Sequence, residues 1–255
     1  MGGVTAAPES VVDVQEVEPH IVQVTMCDRV HKNTFTHQMS RELILAFQSI
    51  AANDTLKAVI LTGFDSYFAT GGTQADLLAL QEGKGRFSDN NIYGLALECK
   101  IPVISAMQGH GIGGGFVMGL FADFVILSWE SIYTTNFMKY GFTPGMGATM
   151  IVPYKLGPVL GAEMLLQARR YRGAELQGRG VAFPVYPRAE VMNQALDIAR
   201  DLARTPRVSL ITLKDHLVRP LREDLPRFIE QEVAMHGVTF HQEEVRDNIR
   251  SLFGK

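Results

Sequence analysis

Hydrophobic residues in the first two thirds of the chain alternate between the spacing of strands and that of helices. Apolar runs bounded by turn residues predict strands at IVQVTMCD (21–28), KAVILTG (57–63), IPVISAMQG (101–109) and ADFVILS (122–128). Between the first two runs, HQMSRELILAFQSIAAND predicts a helix with an apolar face made of Met39, Leu43, Ala46, Phe47 and Ile50. Strands that alternate with helices predict an α/β domain.

The pattern changes after Pro187, where three amphipathic helices are predicted. Their sequences are RAEVMNQALDIARDLART, RVSLITLKDHLV and LPRFIEQEVAMHGVTF. We therefore expect a disordered tail at residues 1–10, an α/β core at 11–195 and a C-terminal helical region at 196–255. No segment is long enough to act as a linker between independent domains. The polar stretch LQEGKGRFSDNN (80–91) predicts a mobile loop.

The composition is that of an ordinary globular protein, with 46% hydrophobic and 20% charged residues and a net charge of -3. No basic block indicates binding to nucleic acid, and no apolar run reaches the length of a membrane span. The first ten residues lack the pattern of a signal peptide. Cys27 and Cys99 are far apart, which favours two buried thiols in a reducing cytoplasm.

Two glycine turns are the candidate chemical feature. Gly113, Gly114 and Gly115 stand where a loop enters a helix, and amides at such a position can bind an anion. A tight turn that packs the helix against a sheet is the alternative explanation. A second pair, Gly71 and Gly72, follows the strand KAVILTG. Together the turns could direct one amide each toward a shared oxygen, as in an oxyanion hole.

Three segments, in this order, resemble the crotonase superfamily, also called the enoyl-CoA hydratase/isomerase family. They are KAVILTGFDSYFATGG, IPVISAMQGHGIGGGFVMGLFADFVILS and YGFTPGMGATMIV, and the resemblance extends from about Val11 to Lys255. It implies an α/β fold built as a spiral of ββα units with a C-terminal helical region for trimerisation and active-site cover. It also implies a homotrimer, in which the amides of Gly72 and Gly114 hold a thioester carbonyl.

The sequence departs from the hydratases of this superfamily at the two glutamates that activate water. The corresponding positions are Val117 and Phe137. Apolar side chains cannot transfer protons, so hydration is not expected. Loss of CO2 generates a carbanion without a base, and a thioester carbonyl in an oxyanion hole accepts its electrons. One such donor contributes about 2.7–4 kcal/mol to comparable reactions.

Further segments are similar to a branch of the superfamily found in polyketide β-branching cassettes. They are GGTQADLL, AMQGHGIGGGFVMGLFAD, TNFMKYGFTPGMGAT and MHGVTFHQEEV. The resemblance implies decarboxylation of a 3-methylglutaconyl group on an acyl carrier protein, giving a 3-methylcrotonyl thioester or its double-bond isomer. The substrate would be carried on the phosphopantetheine of that partner, with no other cofactor and no metal.

The same resemblance implies a catalytic lysine and a catalytic histidine, and it assigns the histidine to His236. On the helical pattern alone, His236 shares an apolar face with Val233 and Phe240, where a core role is the alternative. An imidazole titrates in the range suited to protonating a dienolate. His241 is the second choice, whereas His110 beside the glycine cluster is expected to be structural.

The lysine is assigned to the loop after the first glycine turn, where Lys84 is the one lysine. Arg86 could fill the same space and would hold a carboxylate with a bidentate fork. A solvated loop charge is the alternative for Lys84. Lys139 and Lys32 are other cations near the motifs. Lys32 could contact the phosphopantetheine phosphate, although an exposed charge explains it equally simply.

Two competing functions remain open from the sequence. The first is an isomerase, hydratase or hydrolase acting on CoA thioesters, which the apolar residues Val117 and Phe137 oppose because those reactions need a base. The second is a non-catalytic scaffold for the other enzymes of the cassette. A scaffold would give no reason for two intact glycine turns.

Overall fold

The strands form two sheets in the computed structural model, which describes residues 9–86 and 91–253. Most of the predicted tail, and residues 87–90 of the predicted loop, lie outside the described residues. In the order of the chain, the strands are β1 (Val12–Glu18), β2 (Ile21–Met26), β3 (Ala58–Thr62), β4 (Tyr67–Ala69), β5 (Val103–Met107), β6 (His110–Ile112), β7 (Phe124–Ser128), β8 (Ile132–Thr134), β9 (Tyr171–Arg172) and β10 (Val185–Tyr186).

The helices lie between and after these strands. They are α1 (His37–Ala52), α2 (Gln74–Gln81), α3 (Leu95–Glu98), α4 (Gly114–Leu120), α5 (Ala148–Leu156), α6 (Pro158–Gln167), α7 (Gly173–Gly178), α8 (Arg188–Ala203), α9 (Arg207–Thr239) and α10 (Glu243–Leu252). A short 3-10 turn occupies Met138–Tyr140. No helix in the described part of the chain combines the length and the apolarity needed to cross a membrane.

The chain passes repeatedly from one sheet to the other, which makes the spiral of ββα units that the sequence predicted. The first sheet has the order β1-β2-β3-β5-β7-β10, and the second has the order β4-β6-β8-β9. Thus β3 and β4 precede α2, and β5 and β6 precede α4. Because β3, β5 and β7 pair in parallel, and β4, β6 and β8 do the same, the turns that follow β4 and β6 meet at one edge.

The predicted strands and the first helix are confirmed, and their burial explains the sequence pattern. All five residues of β3 and of β5 are buried, so these strands are continuous apolar runs rather than alternating ones. Helix α1 begins after Thr36, whose hydroxyl accepts the Met39 N–H, and its predicted apolar face is buried. The other side of the first sheet packs on α8 through Val191, Ala195 and Ala199.

The prediction of two separate helices after residue 206 was wrong, because α9 runs unbroken for 33 residues through Pro220 and Pro226. A proline inside a helix costs about 3 kcal/mol. Burial along one face of α9 offsets this cost, and the buried residues there include Leu210, Val218 and Leu225. Residues 195 and 196, the predicted boundary, both lie within α8.

A buried ion pair fixes α9 to the core. The Lys214 ammonium donates to Asp123 Oδ2 at 2.7 Å and to the carbonyls of Ala96 and Ile101 at 2.9 and 3.1 Å. Asp123 also accepts the Val103 N–H at 2.8 Å. Lys214 has 3% of its side chain exposed, so the charges are shielded from water. Removing one partner therefore leaves an uncompensated buried charge.

We predict that Lys214→Met lowers the free energy of unfolding by about 3–5 kcal/mol, the usual consequence of breaking a buried pair from one side. Arg204→Met is the matched control, because Arg204 pairs with Asp201 in an exposed contact. It should cost no more than about 1 kcal/mol. Urea denaturation of both variants at equal protein concentration measures the difference. Equal losses of stability would contradict the role assigned to Lys214.

Candidate active site

The two glycine turns contact each other. Gly71 has a φ of +78°, and a Cβ added to it would lie 3.2 Å from the Gly114 nitrogen. Gly113 has a φ of +54° and precedes α4, so Gly114 is the first residue of that helix. A Cβ on Gly115 would overlap the Ala69 carbonyl. Side chains at these positions would force the turns apart, which is why glycine occupies them.

Gly72 and Gly114 line one small cavity of about 30 Å³, here called the glycine cavity. Within the described residues, neither amide N–H is engaged by a hydrogen-bond acceptor. Two unengaged N–H donors beside one cavity are the arrangement that binding of a negative oxygen requires. The structure therefore brings together the two glycines that the sequence assigned to substrate binding.

Apolar and aromatic side chains surround the glycine cavity. Phe137 lines it, and Val117 is fully buried in α4 behind the glycine turn. Tyr140 and Phe142 stack with ring centroids 5.9 Å apart, and the Phe253 ring stacks on Tyr140 at 6.3 Å. The two positions that carry glutamate in hydratases are thus part of the apolar surroundings.

Two larger cavities lie near the glycine cavity, and each shares lining residues with its neighbour. The lysine cavity, of about 230 Å³, shares Gly72, Leu77 and Met146 with it and is also lined by Lys84. The histidine cavity, of about 250 Å³, is lined by His236 and His241 and shares Leu80, Gly85 and Arg86 with the lysine cavity. The predicted site residues therefore line three neighbouring cavities, here together called the cleft.

Lys84 is exposed and forms an ion pair in this cleft. Its ammonium lies 2.6 Å from Glu82 Oε2, and 70% of its side chain is exposed. The Glu82 carboxylate raises the pKa of Lys84, and the ammonium lowers the pKa of Glu82 in return. Arg86 lines both the lysine and the histidine cavities. Two cations, Lys84 and Arg86, thus line the lysine cavity.

His236 is half-buried near the end of α9. Its Nε2 lies 2.9 Å from the Thr143 carbonyl oxygen, and because a carbonyl only accepts, Nε2 carries the proton. Burial lowers the pKa of His236, although the backbone carbonyls of Thr143 and Pro144 oppose that effect. The ring also makes an edge contact with Phe240, with centroids 5.6 Å apart.

The other candidate side chains have different surroundings. His241 is exposed, and its Nδ1 lies 2.8 Å from the Gln81 carbonyl oxygen. His110 accepts the Ile132 N–H at Nδ1, and burial lowers its pKa, which fits the structural role expected for it. The Lys32 ammonium lies 5.6 Å from the Tyr67 ring centroid. Neither Lys32 nor Lys139 lines any of the three cavities.

The sequence interpretation missed Met146 and Glu232. Met146 has a left-handed φ of +65° and lines both the glycine and the lysine cavities. A Cβ on Gly114 would lie 2.5 Å from the Met146 sulfur, so the thioether covers that glycine. Glu232 is buried in α9 one turn before His236. Its position on an otherwise apolar helix face was the available signal.

Comparison with known proteins gives one consistent family. Residues 16–254 match the family model described as enoyl-CoA hydratase/isomerase. The chain is 63% identical to bacillaene synthase decarboxylase PksI of Bacillus subtilis (strain 168) over 245 residues, which are 96% of this chain and 98% of that protein. This confirms the similarity of the chain's motifs to the stand-alone enzyme of the bacillaene pathway.

Solved structures agree with this result. A structure from work on a dehydratase/decarboxylase enzyme couple in polyketide beta-branching has a TM-score of 0.96 and 63% identity, and the match covers 96% of this chain and 100% of that one. The ECH2 decarboxylase domain of CurF from Lyngbya majuscula has a TM-score of 0.92 and 42% identity at the same coverage. The chain belongs to the enoyl-CoA hydratase/isomerase family and, within it, is a decarboxylase of polyketide β-branching.

Proposed function

We propose that the chain decarboxylates a 3-methylglutaconyl group held as a thioester on the phosphopantetheine of an acyl carrier protein. The product is a 3-methylcrotonyl thioester or its double-bond isomer. The observation that carries this proposal is the glycine cavity, in which two backbone amides face walls that lack the hydratase carboxylates. Such a site can stabilise an enolate, and among the described residues no carboxylate or imidazole lines the glycine cavity to make one by deprotonation.

In the proposed reaction, the bond between the substrate's carboxylate carbon and its neighbouring methylene breaks. Its electron pair moves through the conjugated double bond to the thioester oxygen, and CO2 leaves. The amides of Gly72 and Gly114 stabilise the resulting negative oxygen. Apolar walls favour this step because the charge spreads from a localised carboxylate over the dienolate. A proton added to either end of the dienolate then gives one of the two product isomers.

Lys84 is our choice for the cation that orients the departing carboxylate. Its ammonium lines the lysine cavity and already holds an exposed carboxylate, that of Glu82, at 2.6 Å. The substrate's carboxylate would take the place of Glu82, so the ion pair would be exchanged rather than newly formed. Arg86 is the alternative, since it lines the same cavity and would bind a carboxylate through two parallel hydrogen bonds.

His236 is our choice for the acid that protonates the dienolate. It lines the cavity next to the cations, and its lowered pKa makes the imidazolium a stronger acid. The lowered pKa also decreases the imidazolium fraction as the pH rises, so a step that depends on the cation should slow toward alkaline pH. His241 lines the same cavity but is exposed.

The competing functions have less support. A hydratase or isomerase needs a carboxylate near the thioester, and Asp76 is the one acidic residue among the described residues lining the three cavities. Its Oδ2 accepts the Thr73 hydroxyl at 2.6 Å at the start of α2, which accounts for its position. A scaffold without activity would have no use for the two unengaged glycine amides.

We further propose a cytoplasmic homotrimer. Five apolar residues of α9 suggested this from the sequence: Leu210, Leu213, Leu217, Leu225 and Phe228. Leu210 and Leu225 are buried within the chain, whereas Leu213 and Leu217 are about 60% exposed. They lie along an apolar groove of about 340 Å³ with Phe124 and Tyr154, which are also exposed. An apolar surface of this kind is typical of an interface between subunits.

We predict that the purified protein removes the mass of one CO2 from a 3-methylglutaconyl carrier protein, as measured by mass spectrometry. Lys84→Ala should decrease CO2 release at least 10-fold, because it acts before or during bond cleavage. His236→Ala should slow product formation and shift the ratio of product isomers. Efficient hydration of crotonyl thioesters by the native protein would instead support the hydratase alternative.

Arg86→Ala and His241→Ala are the matched controls for these side chains. We expect both to retain most of the activity in separate assays of CO2 and of product isomers. If Arg86→Ala is inactive while Lys84→Ala is active, the cation is the arginine. If His241→Ala is inactive while His236→Ala is fully active, the assigned histidine is wrong.

We predict that Gly114→Pro decreases kcat by about 100- to 1,000-fold, because it removes one oxyanion donor. Proline is tolerated at the first position of a helix, so α4 should still form. Gly114→Ala keeps the N–H and makes the same new contact with Met146. It is the control and should retain more activity. A folded Gly114→Pro enzyme with normal turnover would exclude this glycine from the proposed oxyanion hole.

We predict that light scattering gives the mass of three chains at micromolar concentration. Leu217→Glu places a charge on the exposed apolar groove and should dissociate the assembly. His216→Glu, on the adjacent position of α9, controls for the added charge. A stable monomer of the native protein at working concentration would rule out the trimer.

A further inference from the structure

One face of α9 holds one short segment of the active site. Glu232, His236 and Thr239 lie at successive turns of the helix, and all three contact the segment 143–149. The Thr143 carbonyl accepts the proton on His236 Nε2, and the Thr143 and Thr239 hydroxyl oxygens lie 3.0 Å apart. Three consecutive turns of one helix thus make polar contacts with Thr143, Gly147 and Thr149 of this seven-residue segment.

Glu232 makes the strongest of these contacts. Its Oε2 accepts the Gly147 N–H at 2.7 Å, and its Oε1 accepts the N–H and the hydroxyl of Thr149 at 2.9 and 2.7 Å. The residue is 1% exposed, and no ion pair links it to a cation within the described residues. Because N–H donors approach both oxygens, both oxygens must accept, which a carboxyl group can do and an amide cannot.

This carboxylate decreases stability at neutral pH. Burial raises the pKa of Glu232 above its ordinary value of 4.5, although the three donors partly oppose the effect. A raised pKa means that the folded protein binds the proton more tightly than the unfolded chain does. The corresponding stability is present at low pH and is lost as the pH rises through the raised pKa. Ionisation of Glu232 is therefore unfavourable for folding, and its three hydrogen bonds offset part of this cost.

The segment that Glu232 holds forms a wall of the site. Between the two ends of the segment, Met146 and Gly147 both have left-handed φ values, of +65° and +73°. That turn directs the Met146 thioether onto Gly114, in the glycine cavity. At the other end, the Thr143 carbonyl fixes the proton of His236 on Nε2. The segment therefore connects the proposed oxyanion donor with the proposed acid.

We propose that Glu232 is a positioning residue for the decarboxylation, an inference that rests on the proposed function of this site. It holds the segment 143–149 so that the Gly114 amide and the His236 imidazole keep a fixed relation to one dienolate. Displacement of the segment moves both groups, which changes the rate and the carbon that receives the proton. A displacement of about 1 Å is enough to change a rate by about 100-fold.

Glu232→Gln tests this role. The substitution keeps the size of the side chain and one oxygen acceptor, but it places an NH2 group against a backbone N–H, so one hydrogen bond to the segment is lost. We expect kcat to fall 10- to 100-fold with KM changed less than threefold, and the ratio of product isomers to shift. Thermal unfolding should move by only a few degrees. Glu230→Gln is the matched control, since Glu230 is exposed on the same helix. Glu230→Gln should leave kcat, KM, the isomer ratio and the unfolding temperature unchanged.

A measurement without substrate separates this inference from the proposed function. In protein labelled with ¹⁵N-histidine, the His236 imidazole signal, assigned by its loss in His236→Ala, should shift in Glu232→Gln and not in Glu230→Gln. A native enzyme without decarboxylase activity would refute the proposed function, and this signal would still test the contact. A folded Glu232→Gln enzyme with native kcat, isomer ratio and imidazole signal overturns the inference.

Thr149→Val provides the same test if Glu232→Gln does not fold. It removes the hydroxyl donor to Glu232 and keeps the backbone N–H, so the segment should loosen at one contact of three. We expect the isomer ratio and the His236 signal to shift in the same direction as in Glu232→Gln, and kcat to decrease less than in that variant. Native values for all three quantities would overturn the inference.

Discussion

The close approach of two glycine turns is the constraint on which the rest of the site depends. The turn after β4 and the turn before α4 touch through backbone atoms, with room for no Cβ at Gly115 and little at Gly71. Parallel pairing of β4 with β6 brings the turns to one edge of the second sheet. The result is a cavity in which two backbone amides are unengaged and no side chain of the turns intervenes.

The surroundings of that cavity select the reaction. Backbone amides stabilise any enolate, so the neighbouring side chains decide how the enolate arises. Val117 and Phe137 remove the water-activating carboxylates, and the aromatic cluster around Phe142 and Phe240 contributes an apolar wall. Among the described residues, the charged groups that line the cavities are Asp76, Lys84 and Arg86, and none of them lines the glycine cavity. The cleft therefore suits a substrate that brings its own carboxylate and loses it.

The sequence predicted the fold and supplied the candidate residues of the site. Continuous apolar runs marked β3 and β5, because both faces of these strands are covered, and helical spacing marked α1. The glycine turns could be located because they follow strands at short spacing, and the family resemblance then assigned Gly72 and Gly114 to the oxyanion hole. Comparison with the hydratases of the family also showed, from the sequence, that apolar residues replace the two glutamates at Val117 and Phe137. These features depend on residue type and short spacing, which a sequence displays directly.

Only the tertiary structure decided how distant segments act together. Pro220 and Pro226 suggested a break that burial of one helix face overrides, so α9 is continuous and reaches the site. The helix face that carries Glu232 could be read from the sequence, but its contacts with Gly147 and Thr149, more than 80 residues earlier, could not. Local patterns record neither contact, because a carboxylate's environment depends on the segments that pack around it. The sequence thus determined which groups are present, and folding determined which of them share one cavity.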